Sequence, residues 1–503
     1  MRRSGLFAPL RRNTHADQGN SADYLIRMGY VSPVGAGLLT HLPLGLATFN
    51  NLKSVLNRHL EELSNCSFHE FPALHPRSLW EGAGRLEKFG NTIFQLTDQH
   101  RKPLVLAPTH EVTAAHLAAE FVRSYRDLPI RISQTQIKYR DEARPRAGVI
   151  RTRQFTMHDL YSFDVDEKAA KVGYDLVKEA YIRTLSEVRL PFFVVEQTDT
   201  GAIGGDLSHE FQVPATIGDD SVVDPGGKQH ASLEVAHIFM LGTGYSEAAG
   251  ARYTDSEGNV RPVYMCSFGM GIERTVAAYI ETYLGRADHG RELIWPWALT
   301  PFHMMIIGNS PRALEVYRVL KSAGYRVLIE DRDIPLRQAM AEGLAFGFPL
   351  YLVFGTKAGS GEVELICKRA RFAEVVGVEE LLPTVQQLYG DLTAIELAER
   401  WGRLVDIDRT QKSLVVGFDE PWMLSASGLQ QLEVGADLMG RFGEIKTHQT
   451  IKKLKADQYW VVPVIPQLAV DEPVNKVHGE VRYLATPANE NLDPNDIRKR
   501  YRA

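Results

Sequence analysis

The chain has 503 residues, enough by length for about three domains. Charged residues make up 24% of it and hydrophobic ones 44%, an ordinary globular balance, and no run of about 18 apolar residues marks a membrane span. The formal net charge of -5 excludes a protein that coats nucleic acid by bulk positive charge, yet leaves room for a local basic face.

The opening MRRSGLFAPLRRN carries four arginines and no acid before Asp17, the pattern of a mitochondrial presequence, with a basic RNA contact or an ordinary chain start as the other readings. Turn residues Gly35, Gly37, Pro43 and Gly45 lead into 49–63, where Phe49, Leu52, Val55, Leu56, Leu60 and Leu63 recur at spacings of three and four. That spacing predicts an amphipathic helix. Pro72 and Pro76 then break the chain. Between about 90 and 280, strand-like runs at 104–106, 132–139 and 192–197 alternate with helices but lack the βαβ rhythm. A mixed, largely antiparallel sheet with helices on one side is expected.

The rhythm changes near 295–301. Strands at 303–307, 325–330 and 350–354 alternate with helices at 311–322 and 336–345, predicting an α/β domain that ends near 385. The remainder offers strands at 413–418 and 459–464 and a polar close, and no role follows from its residues. Cys66, Cys266 and Cys367 are far apart and form no CxxC pair, which argues against a disulfide framework or a cysteine-rich zinc site.

No GxxxxGK[ST] phosphate loop and no HExxH helix occurs. Instead, arginines stand in unusual settings. Arg140 and Glu142 close one strand-like run, a turn-rich loop follows, and Arg151, Thr152 and Phe155 open the next. Two strands joined by a loop bring Arg140 and Arg151 to one surface, where arginine forks match phosphate oxygens and an aromatic ring can stack on a base. Further on, GMGIER (269–274) runs into a helix, where Gly271 lets backbone approach a ligand and Arg274 faces the same anion.

Together the pattern RxE, loop, RxxxF and later GxGxxR resembles motifs 2 and 3 of class II aminoacyl-tRNA synthetases. The 49–63 helix followed by Pro72 is similar to motif 1, whose proline lies at that family's dimer interface. The class I pairs HIGH and KMSKS are absent. Four segments resemble prolyl-tRNA synthetases in particular: PTHE (108–111), KYRDEARPRAGVIRTRQFTMHDLYSF (138–163), DTGAIGGDLSHEFQV (199–213) and AHIFMLGTGYSE (236–247).

The resemblance implies an α+β catalytic domain with an antiparallel sheet over 1–298, an anticodon-binding-like α/β domain over 299–385 and a C-terminal extension over 386–503. It implies that Thr109, Glu111, Arg140 and His209 bind proline. Arg140, Glu142, Arg151, Thr152, Phe155, Gly271 and Arg274 would bind ATP, with Arg140 and Arg274 catalytic. It further implies Mg2+ with the phosphates, no zinc, tRNA(Pro) as acceptor, a homodimer and no membrane. Gln154, His158 and Ser267 depart from the usual bacterial glutamate, lysine and cysteine, and Cys266 stands one step from the last. The α/β domain is closer to the mitochondrial branch, so a mitochondrial matrix location is expected, with the bacterial cytoplasm as alternative. Only about twenty residues, 217–236, stand where bacterial relatives carry an editing insertion. Two other readings remain: a synthetase paralogue that charges a non-tRNA acceptor, and a non-catalytic RNA-binding descendant.

Overall fold

The computed structural model describes residues 1–11, 20–197, 201, 203–223, 229–284, 293–367 and 372–388, together with the strands Arg403–Asp408, Ser413–Gly417 and Tyr459–Pro463. The chain divides into two compact units. One comprises Phe7–Val222 and His230–Leu284; the other takes Met1–Leu6, Val223–Gln229 and Gly285–Ala503.

The larger unit is built on a sheet whose strands run in the order Cys66–Phe68, Ile130–Tyr139, Gln154–Asp164, Tyr264–Gly271, Gln229–Gly242, Leu207–Pro214 and Phe193–Gln197. Its first pair is parallel and the rest of this path antiparallel. Alternation along the strands makes two faces with different duties. Helix Glu167–Glu187, capped where Asp166 accepts the Ala169 N–H at 2.8 Å, covers one of them. There Tyr174 packs on Phe268 and Tyr181 on Phe211, ring centroids 5.6 and 5.9 Å apart. On the opposite face Tyr161, Phe163, Phe239 and Met265 share a core with Val112, Ala115 and Ala118 of helix Glu111–Phe121. The expectation of helices on one side is therefore too simple. The second face must be partly covered, because the helix on it carries site residues.

Helix Pro43–Glu61 extends the predicted 49–63 backwards, with proline at its first turn, where no N–H is needed. Its stripe of Leu44, Phe49, Leu52, Val55, Leu56 and Leu60 is buried within this unit, beside helix Glu167–Glu187. The stripe is core, and offers nothing to a partner chain. Gly45 is required here, since a Cβ would run into the Tyr30 carbonyl.

In the other unit a five-stranded sheet runs Val327–Glu330, Met304–Ile307, Leu350–Val353, Glu362–Cys367, Phe372–Gly377, the first three strands parallel and the last two antiparallel. Helices Pro311–Ser322 and Leu336–Phe346 make the crossovers as predicted. The expected boundary at 298 is displaced: the division falls at Leu284, and the first six residues belong with this second unit. Arg2 bridges Ile329 in parallel, and Ser4 donates to Asp331 from its N–H at 2.8 Å and its hydroxyl at 2.5 Å. Arg3 is buried, its guanidinium over the Phe346 ring and 3.4 Å from Glu342. Residues expected in a basic leader are thus, through Leu6, part of a folded unit. Arg12 and Asn13 lie outside the described residues, as does most of 386–503, where three strands form a small sheet in the order Arg403–Asp408, Ser413–Gly417, Tyr459–Pro463.

Candidate active site

The floor of the site is a loop that ends at the first turn of helix Glu111–Phe121. Thr109 donates from Oγ1 to Glu111 Oε2 at 2.6 Å, and Ser267 donates to Oε1 at 2.8 Å from the neighbouring strand. Both carboxylate oxygens are thus held by hydroxyls that leave lone pairs for a further donor. Glu111 is 3% exposed, and burial pushes its carboxyl above the ordinary range. A buried carboxylate of this kind calls for a cation, and a substrate ammonium can supply one.

Behind the floor lies a polar network. Tyr161 OH accepts the His110 N–H at 2.9 Å and donates to Asp159 Oδ2 at 2.8 Å. Lys138 Nζ sits 2.6 Å from Asp159 Oδ1 and 2.6 Å from His110 Nδ1. Burial and Lys138 hold the His110 imidazole neutral, its pKa lowered to about 2, so Nδ1 accepts from lysine and Nε2–H donates to the Pro72 carbonyl at 3.1 Å.

The arginines lie further along the same face. Arg140 follows strand Ile130–Tyr139, its N–H bonded to the Arg153 carbonyl at 3.0 Å and its guanidinium over the Phe155 ring, 5.2 Å from the centroid. Burial and the nearby Arg274 lower its pKa, so an anion between the two would be strongly favoured. Arg274, in the first turn of helix Ile272–Tyr283, donates to the carbonyls of Ile150 and Glu234 at 3.3 and 3.2 Å. Gly271 has ordinary extended backbone; a Cβ there would meet the Arg274 Cβ at 3.3 Å, so the glycine gives the arginine stem its room. Arg151 lies 3.8 Å from Glu142 and 2.9 Å from Asp219, an acid that the sequence did not single out. Thr152 is buried next to it.

One expected residue is misplaced. His209 pairs with Ile238 across the strands and points to the helix-covered face, its Nδ1 2.7 Å from Tyr174 OH. It is a packed core histidine, away from Glu111 and the arginines. Cys266 faces the same way, buried, its thiol pushed up to about 12, so Ser267 alone of that pair reaches the site. The residue on the site face is His237, directly opposite Glu210. Its Nε2 is 2.9 Å from Ser208 Oγ, its Nδ1 3.4 Å from Glu234 and 3.6 Å from Glu210, and its ring stacks on Phe239. Burial would raise Glu234, but His237 and Arg274 bring it below the usual carboxylate range. Donor atoms of Glu210, Glu234 and His237 lie within 4.8 Å of one another, and the two carboxylates are oxygen ligands of the kind Mg2+ takes. Strict alternation was the signal missed: Phe211 must face the core, and His209 two residues earlier shares its side.

An antiparallel sheet with an arginine after one central strand, a stacked phenylalanine on the next and a second arginine in the helix that follows defines a class II synthetase core. The family model "tRNA synthetase class II core domain (G, H, P, S and T)" matches residues 94–283. A proline–tRNA ligase of Methylobacterium nodulans is 31% identical over 445 residues, 77% of this chain and 99% of that protein. One from Sulfurimonas denitrificans is 31% identical over 75% of this chain and 97% of its own length. The chain belongs to the prolyl-tRNA synthetase family. In fold it is similar to the prolyl-tRNA synthetase of Cryptosporidium parvum complexed with L-proline and AMP (TM-score 0.64, 18% identity, 76% of this chain, 79% of that one). It is also similar to that of Giardia lamblia in complex with prolyl-adenylate (TM-score 0.61, 19% identity, 70% and 73%).

Proposed function

We propose that this chain activates proline with ATP and esterifies it to tRNA(Pro). The observation that carries the reading is the succession on one sheet face of a buried carboxylate, Glu111, then Arg140 over Phe155, then Arg274. Glu111 with Thr109 takes the secondary ammonium, Arg140 bridges the amino-acid carboxylate and the α-phosphate, and Phe155 stacks on adenine. Arg274 and Arg151 hold the outer phosphates, with Glu142 and Thr152 placing the nucleotide. The carboxylate oxygen attacks the α-phosphorus and pyrophosphate leaves, so the protein has chiefly to align two anions and neutralise the charge that builds between them. The tRNA terminal hydroxyl then attacks the adenylate carbonyl. Mg2+ would supply further phosphate neutralisation, with Glu234 and Glu210 as its oxygen ligands.

Residues 299–385 are read as the anticodon-binding part, supported by their α/β fold. A homodimer is supported by the exposed apolar side chains Val34, Leu38, Phe68 and Leu74 around motif 1, rather than by the helix stripe. The bacterial cytoplasm is the better-supported compartment, since the two relatives above are bacterial; the mitochondrial matrix is the second reading. Among the described residues no helix is long and apolar enough to cross a membrane. The test is ATP–pyrophosphate exchange with a panel of amino acids. Proline-dependent exchange without tRNA is expected, and exchange with another amino acid but not proline would overturn the assignment.

A further inference from the structure

We propose that Lys138, paired with Asp159 beneath the amino-acid pocket, is a positioning residue that keeps Glu111 charged and aimed at the substrate ammonium. The inference rests on the proline reading given above. Lys138 has no exposed surface at all, an arrangement that is rare and unfavourable unless the ammonium is paired. Its partners are Asp159 and neutral His110, each at 2.6 Å. Both ends of His110, the residue between Thr109 and Glu111, are tied to that pair. The imidazole accepts from Lys138, and the backbone N–H reaches Asp159 through Tyr161 OH. Tyr161 OH also lies 3.4 Å from Thr109 Oγ1. Gln134 also donates to Asp159 Oδ2, at 2.8 Å, so the aspartate is held by three side chains.

The charge count gives this geometry a purpose. Two buried carboxylates, Asp159 and Glu111, face one buried ammonium, and His110 adds no charge. Lys138 takes Asp159, so among the described residues the side chains bonded to Glu111 are hydroxyls, Arg140 acts on it only from further off, and its carboxylate has no cation at ion-pair distance. The incoming ammonium completes the set. Asp159 pushes Glu111 towards protonation, and Lys138 and Glu111 stabilise each other's charged forms. Without Lys138 the two carboxylates would share a proton, and Glu111 would meet the substrate uncharged. Without Asp159, Lys138 would turn its charge on Glu111 and compete with the substrate.

The test is pyrophosphate exchange by the full chain carrying Lys138→Met, Asp159→Asn, both together, or Tyr161→Phe. Each single change at the pair should raise the KM for proline about tenfold or more while the KM for ATP stays within about threefold, as expected when one partner of a buried pair is removed. The double variant removes both charges and should bring the proline KM back to within about threefold of wild type, a coupling that a purely structural role would not produce. Should Lys138→Met fail to fold, Tyr161→Phe keeps both charges, removes only the hydroxyl bridge, and should raise the proline KM about threefold to tenfold. Unchanged proline KM in the single variants, or a double variant worse than either single, would overturn the proposal while leaving proline activation standing. A wild-type enzyme without proline-dependent exchange would overturn the functional reading and this inference with it.

Discussion

Replacing Glu111 by Gln changes one charge and almost no volume at a position that is 3% exposed. The two hydroxyls now bonded to it at 2.6 and 2.8 Å can rotate to meet an amide, so the loop keeps its shape. What disappears is the buried anion proposed to face the substrate ammonium. Truncating one member of a desolvated charge pair costs about 2–5 kcal/mol, and because Gln retains an acceptor oxygen the lower half of that range applies. About 3 kcal/mol corresponds to a fall of about 150-fold in kcat/KM for proline. Pyrophosphate exchange at varied proline and ATP should place the loss in the proline KM. A loss under about threefold would remove Glu111 from the site, given the size of the expected effect. The pH dependence has a definite sign. Burial raises the Glu111 carboxyl above 4.5, so acidification protonates it early and raises the proline KM, a limb that the Glu111→Gln variant should lack. The folded state then binds this proton more tightly than the unfolded chain, so the stability it contributes is full below pH 4.5 and is lost as pH rises through the raised value. Near neutral pH the inactive Glu111→Gln protein should therefore melt at a higher temperature than wild type.

Arg140→Ala removes the charged donor proposed to bridge the reacting groups and should lower kcat/KM by the equivalent of about 3–5 kcal/mol; activity within a few-fold of wild type would show the assignment wrong. His209→Gln should leave the proline KM unchanged while lowering the melting temperature, because its partner is Tyr174 on the covered face; a raised KM would return it to the pocket. Sedimentation at micromolar concentration should give a dimer, and Phe68→Glu, at an exposed apolar position, should shift it towards monomer; an active wild-type monomer would refute the interface. Purified alanyl-tRNA(Pro) should lose its ester no faster with enzyme than in buffer, since 217–236 is too short for an editing domain; enzyme-dependent hydrolysis would locate editing elsewhere in the chain.

Much of this site was legible because its residues are chemically unusual where they stand. Arg140, Phe155 and Arg274 occupy spacings that few other architectures need, and the structure brings them to one face. The three parallel strands and two helices of the α/β unit were equally readable, whereas its antiparallel pair Glu362–Cys367 and Phe372–Gly377 was not read from the sequence. His209 failed for a physical reason. A histidine beside a glutamate looks functional in a string, yet in a strand the neighbours face opposite ways, and it is Glu210 that reaches the site with His237. Lys138 was invisible for the opposite reason: nothing in the sequence distinguishes a buried lysine from a solvated one until the strand register sets it against Asp159. The N-terminal arginines were ambiguous because positive charge at a chain start has many uses, one of them the packing of Arg3 against Phe346.

The placement of charge along the sheet follows from the chemistry it has to serve. The reacting partners, an amino-acid carboxylate and a triphosphate, are both anions and repel each other, whereas the amino end of the same substrate is a cation. A uniformly positive cleft would attract the phosphates and expel the ammonium. This face instead sets Glu111 at one end, Arg140 and Arg274 in the middle and Glu234 beyond them, with Arg140 influenced by all three. Arg140 and Arg274 are held chiefly by backbone carbonyls, Arg140 at 3.4 Å from Pro108 and Arg274 at 3.3 Å from Ile150 with the Glu234 carboxylate no nearer than 4.0 Å, whereas Arg151 pairs with Asp219 at 2.9 Å. Carbonyl partners orient a guanidinium without neutralising it, so its charge stays available for phosphate oxygens. Lys138 does face a carboxylate at close range, and for that reason it is the cation of the group that cannot bind substrate and can only set the stage for Glu111.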